Sequence, residues 1–250
     1  MLIDYIFSRP GQVDAAIKEC PLALVPVGSL EWHGPHMPLG FDGVKAEYIL
    51  RKVGTTLGKG VIFPTIFFGA YNVMNFPYTY RFPKRFLQTQ FTQFTEQLHA
   101  SGFTIIVYFV GHYPREQVRF FEKLAMKYMK KHGDLAILSG PEYYFLFKSR
   151  QPGDHAAKLE TSLGLSLFPQ HVDLNQIAGE THTREELRKL GISGEDPKAT
   201  ATKEKGDAWA KEIVDVIVEG IERCWKEHSQ AGFLDIYKAY HEAMDPPRKK

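Results

Sequence analysis

Residues 22–42 read LALVPVGSLEWHGPHMPLGFD. The first six are apolar, rich in valine and leucine, and stop at Gly28, which predicts a short strand buried on both faces. The next fifteen residues, 28–42, gather Glu31, His33, His36 and Asp42 among turn-forming glycines and prolines. A helix is expected from about Gly43, with Asp42 at its start. Strand, polar loop and helix in that order make one unit of an α/β fold, with four metal-capable side chains held in its loop.

The same alternation continues downstream. VIFPTIFF at 61–68, TIIVYFV at 104–110 and LAILS at 135–139 are further strand segments, bounded by Gly, Pro or charge. Leu87, Phe91, Phe94 and Leu98 mark one face of a helix near 84–100, and Val118, Phe121, Leu124, Ala125 and Tyr128 mark another near 115–131. Strands separated by helices imply a mainly parallel sheet covered on both sides. A helical segment near 158–168 and a long helix near 206–227 follow, the latter with Ile213, Val216, Ile217, Ile221 and Cys224 at helical spacing. The polar stretch 174–206, which includes GISGEDPKATATKEKG, predicts a surface loop, and the terminal DPPRKK a frayed tail.

With 44% hydrophobic and 24% charged residues over 250 positions, the composition fits one globular domain spanning 1–250. A net charge of +2, spread over 31 basic and 29 acidic residues, offers no basic stripe for nucleic acid. The two cysteines, Cys20 and Cys224, have neither zinc-knuckle nor disulfide-framework spacing, which fits a reducing cytoplasm. The N-terminus lacks the basic and apolar pattern of a secretory signal, and no apolar run is long enough to span a bilayer.

In open α/β sheets ligands bind beyond the carboxyl ends of the strands. The 28–42 loop follows one strand and Gly111-His112-Tyr113-Pro114-Arg115-Glu116 follows another, so parallel strands bring His112 to the same edge. A third cluster, Asp154-His155-Ala156-Ala157-Lys158-Leu159-Glu160-Thr161-Ser162, lies at a loop-to-helix junction after Pro152-Gly153. Glu31, His33, Asp42, His112 and Glu160 together form a mixed nitrogen and oxygen set suited to Zn²⁺, Mn²⁺ or Fe²⁺. Each also has a plainer reading: Asp42 as a helix N-cap, Glu31 and His33 as solvated loop residues, His112 as a satisfied buried imidazole, Glu160 as a first-turn carboxylate. His36 suits a hydrogen bond within the loop or the support of a neighbouring ligand rather than a metal. Tyr78, Tyr80 and Arg81 either line a pocket or pack a loop.

These residues carry a resemblance: the chain resembles the creatininase (creatinine amidohydrolase) family. Glu31-x-His33-x8-Asp42 matches the family's leading motif, with HGPH and PLG turns between. The likeness continues through the 69–77 loop, Gly111-His112, the H-A-x-x-x-E-T-S pattern at 155–162 and GEDPKATATKEKG at 194–206. The resemblance implies a three-layer α/β/α domain with a mainly parallel central sheet, often assembled as a homo-oligomer (a hexamer), with two divalent metals in the crevice. Glu31 and His112 would hold one metal, His33 the other, and Asp42 would bridge them; His155 matches the family's catalytic histidine.

The departures bear on specificity. Creatininase itself has His-Tyr-Glu at the second motif, with its Glu a metal ligand; here Pro114 takes that place. Glu160 is the preferred substitute, with Glu116 the alternative. Tyr78 replaces the glycine of the usual FPGT and, with Tyr113, is expected to shape the substrate pocket, while aromatic residues including Trp32, Tyr71 and Tyr80 suggest a flat or cyclic ligand. The expectation is hydrolysis of a C–N bond in a small cyclic or formamide-like amide by metal-activated water, two metals about 3.5–4 Å apart lowering its pKa. The rival is a non-catalytic relative serving as a metal-binding or assembly protein.

Overall fold

A computed structural model describes residues 1–69 and 75–244. At its centre is a five-stranded sheet, every registered pair parallel, in the order β1 (Leu2–Asp4), β3 (Gly60–Ile62), β2 (Leu22–Val27), β4 (Ile105–Val110) and β5 (Ala136–Gly140). β2 and β4 pair from Leu22 opposite Ile105 to Val27 opposite Val110, and every residue of both is buried. Their unbroken apolar runs are what a central parallel strand requires, because helices cover both of its faces.

The crossovers follow from strand order. β1 to β2, β3 to β4 and β4 to β5 all step one way along the sheet, whereas β2 to β3 steps back. Right-handed crossovers therefore put α1 (Pro10–Glu19), α3 (Lys84–Ala100) and α4 (Arg115–Lys131) on one face and α2 (Phe41–Leu57) on the other. Phe91 of α3 meets Tyr108 of β4 edge-on at 5.7 Å and Phe121 of α4 at 4.7 Å, closing the first face. On the second, α8 (Lys203–Glu227) packs against α2, α9 (Ala231–Met244) and α5 (Lys158–Leu167).

The expected strand at 61–68 is shorter than its apolar run. β3 ends at Ile62, because Pro64 has no N–H to give the ladder, and only Ile66 rejoins the sheet through a bridge to Val27. The expected loop at 174–206 contains two short helices, α6 (Arg184–Lys189) and α7 (Pro197–Thr200). They are built on caps rather than on an apolar face: Thr183 and Glu186 form a capping box, and Asp196 accepts from Lys198 N. α8 starts at Lys203, ahead of its apolar stripe, because Thr202 caps it by accepting from Lys205 N. α2 begins at Phe41 with Gly40 as its N-cap, so Asp42 sits inside the first turn and caps nothing. Tyr71 and the DPPRKK tail lie outside the described residues.

One packing contact places the loops. The residue after β2 is Gly28 and the residue after β4 is Gly111; a Cβ on the first would lie 2.2 Å from Gly43 N, and on the second 2.1 Å from the Asp42 carbonyl oxygen. The first turn of α2 thus lies directly across both strand ends. β2 sends its chain to one face and β4 to the other, so this is the switch point where a crevice opens.

Gly111→Ala is expected to force these elements apart and cost about 1–3 kcal/mol, the usual range for overpacking. Urea denaturation measures this, and a variant as stable as the parent would show that α2 does not depend on this approach.

Candidate functional site

The loop after β2 carries Glu31 and His33, the first turn of α2 carries Asp42, the residue after the glycine that follows β4 is His112, and the first turn of α5 carries Glu160. All five are buried. Their donor atoms form two sets that share Asp42: Glu31, Asp42 and His112, and His33, Asp42 and Glu160. Asp42 divides its oxygens between them. Oδ2 lies 3.1 Å from His112 Nδ1, which is also 2.8 Å from Glu31 Oε2, while Oδ1 lies 2.9 Å from His33 Nε2. Glu160 Oε2 stands 3.7 Å from the same His33 nitrogen.

His33 shows what this arrangement suits. Its Nδ1 donates to the Glu31 carbonyl at 3.0 Å, which fixes the tautomer and leaves Nε2 facing the carboxylates. That nitrogen is buried and, despite its nearness to Asp42, makes no hydrogen bond of acceptable geometry. A metal ligand is held in this way. Burial works against charge on either ring, but the surrounding carboxylates outweigh it, pushing His33 up to about 9 and His112 up to about 10. For Asp42, burial opposes ionisation and the two imidazoles overcome it, holding the carboxyl well below its usual range. A divalent cation would supply the positive charge that these carboxylates otherwise draw from protons on the rings. The residues therefore fit a metal centre.

His155 stands beside it, its ring centroid 4.4 Å from that of His33. Its Nε2 donates to Trp32 O at 2.9 Å, so Nδ1 carries the free lone pair. Burial, reinforced by His33, lowers its pKa and keeps the ring neutral. His36 bonds Thr161 Oγ1 at 2.9 Å and thereby ties the first loop to α5. Pro114 is the N-cap of α4 and offers no donor atom. Glu116, in the first turn of α4, is 65% exposed on a side chain that faces Lys84. Glu160, by contrast, joins the cluster.

The centre forms one wall of a cavity of about 390 Å³, with Tyr113, Tyr143, Asp154 and Ser193 among its other lining residues. Tyr113 gives its hydroxyl to Asp154 O at 2.7 Å and presents its ring. Tyr78, expected to shape the pocket, turns its backbone through φ 59°, is 63% exposed and is not among the described residues that line this cavity. Trp32 likewise packs rather than lines, donating to Leu190 O at 2.7 Å and stacking on Phe76.

Sequence reasoning missed Lys45 and Glu142, both fully buried. Lys45 Nζ lies 2.6 Å from Glu142 Oε1 and 2.6 Å from Glu160 Oε1. Burial opposes its charge, and Glu142, Glu160 and Asp42 more than restore it, so its pKa is raised. Two signals were present: Lys45 follows Asp42 by three residues, hence on the same helix face, and Glu142 lies just beyond β5, at the same sheet edge as His112. A separate group, His99, His132 and Asp134, brings donors together nearer the surface, away from this cavity.

Residues 9–221 match the creatininase family, described as creatinine amidohydrolase. The chain is 26% identical over 175 residues, 64% of its length, to 3-dehydro-scyllo-inosose hydrolase of Thermotoga maritima, and spans about half (54%) of that protein. It is 27% identical over 223 residues to the mycofactocin precursor peptide peptidase of Mycolicibacterium smegmatis, covering 81% of this chain and 85% of the relative. A crystal structure of creatinine amidohydrolase (creatininase) shares the fold with a TM-score of 0.76 at 20% identity, over 89% of this chain and 98% of that one. Solved creatininases of this fold include a manganese form and a Zn–Zn form of a variant. No helix among the described residues is long and apolar enough to cross a membrane. A match over residues 9–221, on a parallel sheet whose switch point gathers the motif's Glu31, His33 and Asp42, makes this chain a member of the creatininase family of hydrolases.

Proposed function

We propose that this hydrolase cleaves a C–N bond in a small amide, cyclic or formamide-like, at a centre of two divalent ions. Glu31, Asp42 and His112 would hold one ion, His33, Asp42 and Glu160 the other, and His155 would move the proton. The observation that carries the reading is the division of Asp42, whose Oδ1 faces His33 and whose Oδ2 faces His112. A carboxylate so placed would belong to both groups of residues that would hold the ions. The mixed nitrogen and oxygen donors suit Zn²⁺, Mn²⁺ or Fe²⁺. When bound, such ions polarise a carbonyl and lower the pKa of a coordinated water towards neutrality.

The chain's own residues supply the rest. His155 Nδ1 accepts a proton from the attacking water as its oxygen bonds to the carbonyl carbon, then returns it to the nitrogen as the C–N bond breaks. Its Nε2 bond to Trp32 O keeps the ring in the tautomer this needs. Tyr113 offers a ring face, and a cavity of about 390 Å³ is at the small end for a ligand site, which favours a compact substrate over a long peptide. The peptide-directed relative makes a short peptide the neighbouring substrate class. A cytoplasmic homo-oligomer is part of the same reading.

Pro114, where creatininase has a ligand Glu, favours one rival, a non-catalytic metal-binding or assembly protein. Metal analysis and activity together separate the two. Protein reconstituted in excess Zn²⁺ or Mn²⁺ is expected to hold two ions per chain, and Asp42→Ala to lose both while keeping the parent's circular dichroism; a variant with normal metal content and turnover would remove the bridge from consideration. His155→Ala is expected to keep its metal and lose about 10²–10⁴-fold in kcat on any amide the parent hydrolyses. Parental turnover in that variant rejects the proton role. Metal-loaded parent inactive across an amide panel supports the non-catalytic rival.

A further inference from the structure

A second cavity, of about 680 Å³, adjoins the one at the candidate centre and is walled by α4, the turn Glu142–Tyr144 and α9. Tyr113 and Tyr143, whose rings meet edge-on at 5.3 Å, line both cavities. Arg115, Arg119 and Lys123 of α4 line the second. They recur every fourth residue, so they share one helix face and span about 12 Å along it. All three are exposed, and none has a hydrogen-bond or ion-pair partner among the described residues. Glu122 also lines this cavity, but both of its oxygens are taken: Oε2 accepts from the Tyr144 hydroxyl at 2.7 Å and Oε1 lies 2.9 Å from His241 Nε2. Like charges four residues apart repel, so the row of cations is unfavourable until an anion neutralises it. A third cavity, which shares Asp154 and Ser193 with that of the centre, differs in this respect, because its Arg184 and Arg188 are balanced by Glu195 and Asp196.

Building on the amide-hydrolase reading above, we infer that the substrate also carries an anionic group, a phosphate or a carboxylate, which reaches past Tyr113 and Tyr143 and is held by Arg115, Arg119 and Lys123. α4 starts two residues after Tyr113 and leads away from the sheet edge that carries His112, so Arg115 is the cation nearest the centre and Lys123 the farthest. An anion joined to the amide by a short span therefore meets Arg115 and Arg119 first. The fork of a guanidinium matches the paired oxygens of a carboxylate or phosphate, and such charge-assisted bonds are the strong ones. The two tyrosine rings shared by the cavities suit a flat span between amide and anion. A cavity of about 680 Å³ is of small-ligand size, which fits one extended molecule lying across both. An uncharged small amide would fill the first cavity alone and leave the row of cations unneutralised. The cations thus select for substrates with an acidic tail.

The test is calorimetric binding of three probes to the metal-loaded full-length protein: para-formamidophenyl phosphate, para-formamidobenzoate and uncharged formanilide. The parent is expected to bind at least one anionic probe about tenfold to a hundredfold more tightly than formanilide, the gain that a charge-assisted pair brings. The phosphate ahead of the benzoate identifies the anion as a phosphate, and the reverse order as a carboxylate. In the double variant Arg115→Gln/Arg119→Gln, checked for the parent's circular dichroism and metal content, this preference is expected to be lost, whereas Arg184→Gln/Arg188→Gln is expected to keep it. A preference that survives loss of Arg115 and Arg119 puts the anion on the ions themselves or on Arg184 and Arg188 and rejects the inference. A parent that binds no anionic probe more tightly than formanilide rejects it too. The hydrolase reading is judged apart from this: a preference that depends on the two arginines, in a protein that cleaves none of the amides, upholds the anion site and counts against the hydrolysis.

Discussion

The contact on which the site depends is the seating of the first turn of α2 across the ends of β2 and β4. Two glycines permit it, since any side chain at Gly28 or Gly111 would occupy the space of the α2 backbone. The consequence is chemical as well as steric. Asp42 is carried to the point between the two central strands where the β2 and β4 loops diverge, and there it faces His33 from one loop and His112 from the other. The shared carboxylate and the switch point are one feature, produced by strand order and a helix placed without clearance.

Gathering carboxylates there is costly for folding. Glu31, Asp42, Glu142 and Glu160 are all buried, and an unpaired buried charge is among the most destabilising features a core can have. The chain balances them with what it has, namely Lys45 and protons on His33 and His112. Glu142 shows the strain of that balance. Burial, and Glu160 beside it, push its carboxyl up to about 7 even though Lys45 pulls the other way. A divalent ion held there would offset this cost, and its binding free energy would become part of the folding free energy.

Much of this was legible from residues alone. α3 and α4 fall on 84–100 and 115–131 because their apolar residues repeat at helical spacing over several turns, and β2 and β4 are unbroken apolar runs. Glu31, His33, Asp42 and His112 could be brought to one edge by strand direction. What escaped depends on local polar chemistry or on distance in space. α6 and α7 have caps but almost no apolar face, and β3 is cut short by one proline. The pairing of Lys45 on α2 with Glu142 beyond β5 and Glu160 on α5 joins positions about a hundred residues apart, for which periodicity has no signature. Tyr78, read as a pocket residue because a bulky side chain stands in place of a family glycine, sits exposed on its turn.

The start of α5 explains how Glu160 and His155, one proposed as a ligand and the other as the group that moves the proton, come from one short stretch. His155 is clamped by two backbone bonds to Ser193, donating at 2.9 Å and accepting at 2.8 Å. The next residue, Ala156, takes a left-handed backbone at φ 53°, a conformation that costs a non-glycine residue energy and persists only where its surroundings enforce it. Here they do. Asp154 accepts from Leu159 N at 2.6 Å and Glu160 N at 3.2 Å, and the turned Ala156 N–H points back to Glu160 Oε2 at 2.8 Å. The strained residue therefore orients both its neighbours: the His155 ring swings against His33, and the Glu160 carboxylate is aimed into the same cluster. In the function proposed above, fixing both groups before substrate arrives would be preorganisation, with the strain at Ala156 as its structural counterpart.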